Sequence, residues 1–180
     1  MTADHDHDHD HGHDHDDWPY PHPRQPDLED GPLTATEAWE EVAAEDDPAA
    51  DRPDTINCPT GSWIQEGLAG EPSVEIDTGL CSYLALGQPA LTELEEGDTL
   101  HLRLWHLELY SDSASLAHAA LYVADSLVWE EDIPIPSDAG MVRPEILVEE
   151  DTEAGAPVVF HLHNHGFNTW NLLTVEVVRD

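Results

Sequence analysis

The sequence predicts an all-β fold, a two-sheet jelly-roll sandwich of about eight strands that follows a polar tail and one short helix. After residue 58 the chain contains apolar runs about a dozen residues apart, as β-sandwiches and barrels do. Turn-forming sequences separate these runs, namely EEGD at 95–98, SDAG at 137–140 and EAGAP at 153–157. No strand–helix–strand rhythm occurs, which excludes a mainly parallel sheet.

The predicted strands are rich in β-branched, aromatic and leucine residues. They cover residues 74–76, 82–87, 99–109, 115–124, 126–135, 142–150, 157–165 and 169–178. The run 157–165 alternates, so Val158, Phe160 and Leu162 share one face and the histidines between them share the other. If the apolar face is core, the histidine face looks outward or into the concave side of the sandwich.

Residues 1–57 differ in composition from the predicted sandwich domain, residues 58–180. They contain seven prolines, seven histidines and 18 acidic residues, and the first seventeen residues lack side chains to bury, so we expect them to be disordered. Thr34 and Glu37 match a capping box, and Ala38, Trp39 and Val42 follow at helical spacing. A short helix is therefore predicted near residues 35–44, with Trp39 docking it onto the domain.

Charge restricts the partners of this protein. The net charge is −35, from 40 acidic residues against five arginines. Such a surface repels nucleic acid phosphates and anionic lipid headgroups, and it attracts cations and basic protein partners. No apolar run in the sequence is long enough for a transmembrane segment.

The two cysteines, Cys58 and Cys81, predict a disulfide and therefore an oxidising compartment. We expect an exported protein, whether periplasmic, cell-surface or extracellular. Met1 leads directly into the histidine-rich tract with no signal peptide, so the sequence is expected to be a mature or trimmed form. The alternative is a cytoplasmic protein with two free thiols.

The N-terminal tract predicts a flexible chelator of divalent transition metals. Histidine alternates mainly with aspartate at His5, His7, His9, His11, His13 and His15. Imidazole suits zinc and copper, with nickel or cobalt as further possibilities. The alternatives are an engineered purification tag or a merely solvated tail.

A second alternating run, His161, His163 and His165, predicts a metal site on the domain. At about 3.3 Å per residue the outer two lie about 13 Å apart, so one ion takes only an adjacent pair. The other ligands must then come from His106, His118 or His101. The alternative is that these histidines are solvated or bond to the backbone and nearby asparagines.

Two local resemblances accompany this strand. The spacing from Gly155 to His161-Leu162-His163 resembles the opening of the first cupin motif, which continues with a nearby glutamate, whereas here the next glutamate is Glu176. FHLHNHGFNT, residues 160–169, is similar to the copper–zinc superoxide dismutase segment that holds the first two copper histidines. The later ligands of that family have no counterpart here. Neither activity is carried over, and both resemblances imply a strand that suits a metal.

A broader resemblance is to galactose-binding-like jelly-roll domains of secreted bacterial lipoproteins of unassigned function. It is carried by CPTGSW at 58–63, CSYLALGQPAL at 81–91, EEGDTLHLRLWH at 95–106 and WEEDIPIPS at 129–137. This resemblance implies a binding or adhesive module and says nothing about catalysis.

Three functions follow from these observations. The first is an exported, non-enzymatic protein that binds divalent transition metal through the tail and the domain histidines. The second is a carbohydrate- or protein-binding module, whose candidate ligand residues are Trp105, Asn168, Trp170 and Asn171. The third is a metalloenzyme of unknown reaction. Catalysis has the least support, because the sequence has no GxSxG motif, phosphate loop or isolated nucleophilic cysteine.

Overall fold

The computed structural model of the protein describes residues 30–179. Within this range the chain forms twelve β-strands and one turn of 3-10 helix, Thr36–Ala38. The strands are β1 (Gly31–Pro32), β2 (Glu40–Glu41), β3 (Trp63–Leu68), β4 (Glu71–Asp77), β5 (Tyr83–Pro89), β6 (Thr99–His106), β7 (Ser115–Val123), β8 (Ser126–Ile135), β9 (Gly140–Val142), β10 (Glu145–Leu147), β11 (Pro157–Asn164) and β12 (Thr169–Val178).

These strands form two antiparallel sheets that pack as a sandwich, which confirms the predicted fold class. The seven-stranded sheet has the order β10-β6-β12-β4-β3, with β1 paired to β12 and β9 paired to β6. The five-stranded sheet has the order β2-β5-β11-β7-β8. Alternation along the strands gives each sheet an inner face toward the core and an outer face away from it.

The core lies between the two inner faces. The five-stranded sheet contributes Phe160 and Leu121, and the seven-stranded sheet contributes Trp170, Leu102 and Ile76, all fully buried. Val158 and Leu162 join the same cluster, which confirms the apolar face predicted for the run 157–165. The histidines of that run therefore lie on the outer face of the five-stranded sheet.

Sequence patterns located most strands correctly. β8 and β12 have the predicted bounds, whereas the predicted strand 142–150 is divided between β9 and β10. β3 was not predicted, because its sequence WIQEGL is largely exposed and contains no continuous apolar run. It lies at the edge of its sheet and pairs only with β4.

The predicted helix over residues 35–44 is wrong. The structure has one 3-10 turn there, and no side chain caps it. Instead, the Ala35 amide donates to the side chain of Gln88 at 2.8 Å, and the Gln88 amide donates to the Ala35 carbonyl at 3.0 Å. Glu40–Glu41 then pairs with β5. Pairing with the sheet outweighs the local helix signal, since a helix this short gains little by itself.

Residues 30–57, which the sequence analysis assigned to the tail, pack against the sandwich. β1 pairs with β12, and Leu33 and Trp39 are buried in the main core. Residues 42–56, which we call the strap, cross the outer face of the five-stranded sheet. Val42, Ala49 and Ile56 of the strap pack against outer-face residues in a second apolar cluster. Residues 1–29 lie outside the described range, so the tail predictions remain predictions.

The predicted disulfide is confirmed. Cys58 and Cys81 are bonded, with a Cα–Cα distance of 4.6 Å and a sequence separation of 23. Cys58 follows the strap and Cys81 precedes β5, so the bond fastens the C-terminal end of the strap to the sheet. The disulfide fits an exported protein. No helix within residues 30–179 has the length and apolar character needed to cross a membrane.

Candidate functional site

Three histidines meet on the outer face of the five-stranded sheet. β11 provides His161 and His163, and β7 provides His118, which is the direct cross-strand partner of His163. The neighbours of His161 on the adjoining strands are Ala85 and Ala120. These small side chains leave room for the imidazole of His161, whose ring centroid lies 5.2 Å from that of His118.

Asp51 of the strap is placed against all three imidazoles. One carboxylate oxygen, Oδ2, is 2.8 Å from His163 Nδ1 and 3.7 Å from His118 Nδ1. The other, Oδ1, is 3.3 Å from His161 Nε2. We call these four residues the His-Asp cluster. The structure therefore brings His118, His161 and His163 together, and their common neighbour is a residue that the sequence analysis assigned to a linker.

His161 is the most unusual member of the cluster. It is 0% exposed, and neither ring nitrogen has a hydrogen-bond partner. Its 3.3 Å approach to Asp51 is an ionic distance without the angle of a hydrogen bond. Burial lowers the pKa of His161 to about 4, despite the opposing effect of Asp51. The imidazole is therefore neutral at pH 7 and keeps a lone pair for a ligand.

Asp51 stays ionised beside these rings. Burial alone would raise its pKa, but the hydrogen bond with His163 and the electrostatic effect of the neighbouring imidazoles lower it overall. A carboxylate against a buried neutral imidazole provides the negative charge that a divalent cation requires. Hydrogen bonding by His163 also fixes the orientation of the Asp51 carboxylate.

Neighbouring residues hold the strap and the rings in position. The Tyr83 hydroxyl donates to Asp47 of the strap at 2.7 Å, and Arg52 forms an ion pair with the same carboxylate. Burial, followed by this hydrogen bond, raises the pKa of Tyr83 well above its usual range, so the hydroxyl remains a donor. His118 Nε2 lies 3.2 Å from Glu130 of β8. When Nε2 carries the proton and donates a hydrogen bond to Glu130, the lone pair of Nδ1 is available to bind a metal ion.

The donor set fits a transition metal ion. Asp51, His118 and His161 each offer one ligand atom, and these atoms lie within 4.8 Å of one another. Two imidazoles and one carboxylate are ligands that zinc binds, and the same set also occurs at iron(II) centres. The unsatisfied, fully buried His161 is the observation that such an ion would explain.

The other predicted metal residues within residues 30–179 lie apart from these ligands. His106 is buried in the other sheet, where Nδ1 bonds to the Leu107 carbonyl at 2.8 Å and the ring packs against Trp170. His101 also lies in the seven-stranded sheet, opposite Glu145 and Glu176. His165 is exposed beyond the end of β11, with its ring centroid 4.5 Å from that of His163. Only His118 among the three proposed helpers joins the cluster.

The predicted carbohydrate residues are divided between core and surface. Trp170 is 0% exposed, and its indole belongs to the core. Asn168 is also buried, where its side chain accepts from the Tyr110 amide and donates to Asn164 at 3.2 Å. These two residues support the structure. Trp105 and Asn171, by contrast, are direct cross-strand partners on the outer face of the seven-stranded sheet.

Sequence reasoning missed Asp51, Asp47 and Glu130 as parts of the site. Asp51 lies in the segment DDPAADRPD, where an acidic residue beside prolines is typical of a linker. Glu130 belongs to a charged run on β8 that resembles a solvated strand. The role of Asp51 depends on its contact with His163, 112 positions away in the sequence. The role of Glu130 depends on its contact with His118, 12 positions away.

No protein-family model and no curated protein matches the chain. Among solved structures, it is similar to the K3 cleaved adhesin domain of Lys-gingipain from Porphyromonas gingivalis W83. The identity is 17%, the TM-score is 0.47, and the match covers 83% of this chain and 94% of that chain. It is also similar to the carbohydrate-binding module TmCBM61 in complex with β-1,4-galactotriose. There the identity is 10%, the TM-score is 0.44, and coverage is 70% of this chain and 88% of that chain.

A third similar structure is the MgGH51 α-L-arabinofuranosidase bound to arabinose, at 12% identity and a TM-score of 0.45. The match covers 81% of this chain, which spans 24% of the length of that enzyme. Carbohydrate-binding modules and an adhesin domain are the kinds of protein that the jelly-roll resemblance implied.

Proposed function

We propose that the protein is an exported, non-enzymatic binding protein that holds a divalent transition metal ion, zinc or copper, in the His-Asp cluster. The carrying observation is the fully buried, neutral His161 with two unpartnered ring nitrogens beside the Asp51 carboxylate. A buried polar group without a partner costs about 1–3 kcal/mol. A metal ion bound to Nε2 removes that cost for one nitrogen.

In this proposal His118, His161 and Asp51 are the ligands, and two neighbours support them. Glu130 holds the His118 ring through Nε2, and His163 holds the Asp51 carboxylate. Such supporting contacts set ligand orientation, and losing one typically weakens metal affinity about 10–100-fold. The histidine-rich tail is a second, weaker metal-binding segment, which raises the local metal concentration near the domain.

The test separates the domain site from the tail. In the full chain, the seven tail histidines are replaced by serine, and zinc and copper(II) are titrated in by calorimetry at pH 7.5. We expect one tight site per chain. His161→Ala is expected to remove it, and His165→Ala, just beyond the end of the same strand and outside the ligand set, is the matched control.

Two results would contradict the domain site. Titration heats equal to buffer dilution in the tail-substituted chain would leave only the tail as a chelator. An unchanged dissociation constant in His161→Ala, with its melting temperature confirming a folded protein, would place the ion elsewhere.

Carbohydrate binding is the second candidate function, and one specific observation favours it. Trp105 and Asn171, two of the ligand residues predicted from sequence, are direct cross-strand neighbours on the outer face of the seven-stranded sheet. A half-buried indole beside an amide is a common arrangement for binding sugars, which present both apolar ring faces and hydroxyl groups. The solved structures similar to this chain include a galactotriose-bound module, which is consistent with this candidate.

A glycan array probed with the full chain, with and without EDTA, distinguishes the two functions. Binding that persists in EDTA supports a carbohydrate module independent of metal. A blank array in both conditions would eliminate this second candidate and leave metal binding unaffected.

A further inference from the structure

One row of cross-strand neighbours runs over five strands on the outer face of the seven-stranded sheet. We call it the outer row: Met141 on β9, Trp105 on β6, Asn171 on β12, Glu75 on β4 and Ile64 on β3. Direct cross-strand partners project from the same face of a sheet. Trp170 and Ile76, the in-strand neighbours of this row, are buried in the core. The outer row therefore faces away from the core.

Asn171, at the centre of the outer row, has an unmet hydrogen-bond donor. Its side chain is 2% exposed, and Nδ2 has no partner, while Oδ1 accepts only a long hydrogen bond of 3.5 Å from Ser73. Thr174 Oγ1, farther along β12, is also buried without a partner. Buried donors without partners are rare, so they indicate a position where a ligand oxygen would be stabilised.

The residues on either side of Asn171 complement this donor. Trp105 is partly exposed and lies outside the main apolar cluster, so its ring is available for a ligand. Glu75 is a partly exposed carboxylate that can accept hydrogen bonds from hydroxyl groups. Arg103 of β6, which shares this face with Trp105, forms an ion pair with Glu71 of β4 at 2.9 Å.

We propose that the outer row is the binding site for an uncharged carbohydrate, with the sugar ring stacked on Trp105 and a hydroxyl oxygen accepting from Asn171 Nδ2. This assignment rests on the carbohydrate-binding function proposed above. The ligand is uncharged because the net charge of −35 opposes a uronic acid or sulfated glycan, and Arg103 is already paired. The ligand is a sugar because its rings combine apolar faces with hydroxyls, matching an indole, an amide and a carboxylate.

The experiment uses the full chain in EDTA on an array of neutral, uronic acid-containing and sulfated oligosaccharides. We expect signals confined to neutral glycans, and the strongest is then titrated by calorimetry. Trp105→Ala and Asn171→Ala are each expected to weaken binding about tenfold or more, the effect of truncating a central contact. Trp105→Phe should retain most of the affinity. Leu116→Ala, a substitution at an exposed position on the other sheet, should retain all of it.

The outcomes separate the site from the function. Neutral glycan binding that Trp105→Ala leaves unchanged, with melting temperatures matched to the parent, would overturn the outer row while retaining carbohydrate binding. Signals dominated by sulfated or uronic acid glycans would overturn the ligand class. A blank array would overturn both the carbohydrate function and the site within it.

Discussion

The two outer faces of the sandwich differ in what covers them. On the five-stranded sheet, the strap crosses the face and places Asp51 against His118, His161 and His163. On the seven-stranded sheet, the outer row carries Trp105 in a partly exposed position among mixed polar and apolar neighbours. Both faces come from the same alternation of side chains along antiparallel strands.

This difference shows how a connecting segment changes the chemistry of a sheet face. Without a cover, histidines on an outer face are solvated and titrate near their ordinary pKa. Under the strap, His161 is fully buried, its pKa falls to about 4, and its ring nitrogens have no hydrogen-bond partner among the described residues. The strap therefore buries His161 and adds a carboxylate where the strand alone provides an alternating pattern. The predictions below test this contrast, from the largest expected effect to the smallest.

Removing the strap carboxylate should have the largest effect on metal affinity. The binding free energy of a structural zinc site is about 10–16 kcal/mol. Divided equally among four ligands, it corresponds to roughly a 100- to 1,000-fold loss of zinc affinity for each ligand removed. Asp51→Ala, in the chain with serine in place of the tail histidines, is expected to show a loss of this size in zinc titrations. Asp54→Ala, just beyond Asp51 in the strap, is the matched control. Equal zinc affinity in both variants would show that the strap supplies no ligand.

Acidification should destabilise the metal-free protein through His161. Its folded pKa of about 4 lies below the unfolded value of 6.5, so the unfolded state binds more protons between those pH values. Stability from this group is complete above pH 6.5 and is lost as the pH falls toward 4, by on the order of 3 kcal/mol. Urea unfolding in EDTA from pH 7.5 to 4.5 measures this slope.

The control for the pH experiment is His161→Leu, which replaces the titrating imidazole with an apolar side chain of similar size. Its stability should fall less over this interval than that of the parent. Parallel curves for the two proteins would mean that His161 does not control the acid sensitivity.

Breaking the disulfide should destabilise the fold and loosen the strap. The bond between Cys58 and Cys81 closes a loop with a sequence separation of 23. On the chain-entropy model, losing this bond lowers the free energy of unfolding by about 3 kcal/mol. The Cys58→Ala, Cys81→Ala double variant should melt at a lower temperature. Hydrogen exchange should also accelerate in residues 42–56 more than in β6 or β12, since the bond anchors the strap. Uniform acceleration across both sheets would show that the bond supports the whole fold and not the strap in particular.

Changes at exposed positions on the outer face of the seven-stranded sheet should have the smallest effect on stability. The Arg103–Glu71 pair is partly exposed, with side-chain exposures of 31% and 52%. Exposed pairs contribute about 0–1 kcal/mol because solvent screens them. A double-mutant cycle with Arg103→Gln and Glu71→Gln, followed by urea unfolding, should give a coupling energy below about 1 kcal/mol. A coupling several times larger would mean that this face is less solvated than the exposures indicate.

Local patterns were sufficient for the sandwich and for the histidine strand. Alternation placed Phe160 in the core and His161 on the opposite face, because side chains on a strand alternate whatever else the chain does. The predicted bounds of β8 and β12 were correct, and the predicted turn SDAG at 137–140 follows β8. The pairing of Cys58 with Cys81 followed because the described chain contains no other cysteine.

Only the tertiary structure decided which histidines meet and what they meet. Strand order placed β7 beside β11 and so brought His118 to His163, while His106 fell on the other sheet. The strap delivered Asp51 from a stretch with the composition of a linker, and replaced the predicted helix with pairing to β5. The alternation of apolar and polar residues indicates only which face of a single strand is buried. Contacts between residues far apart in sequence depend on sheet order and on the path of the connecting chain, which no local pattern contains.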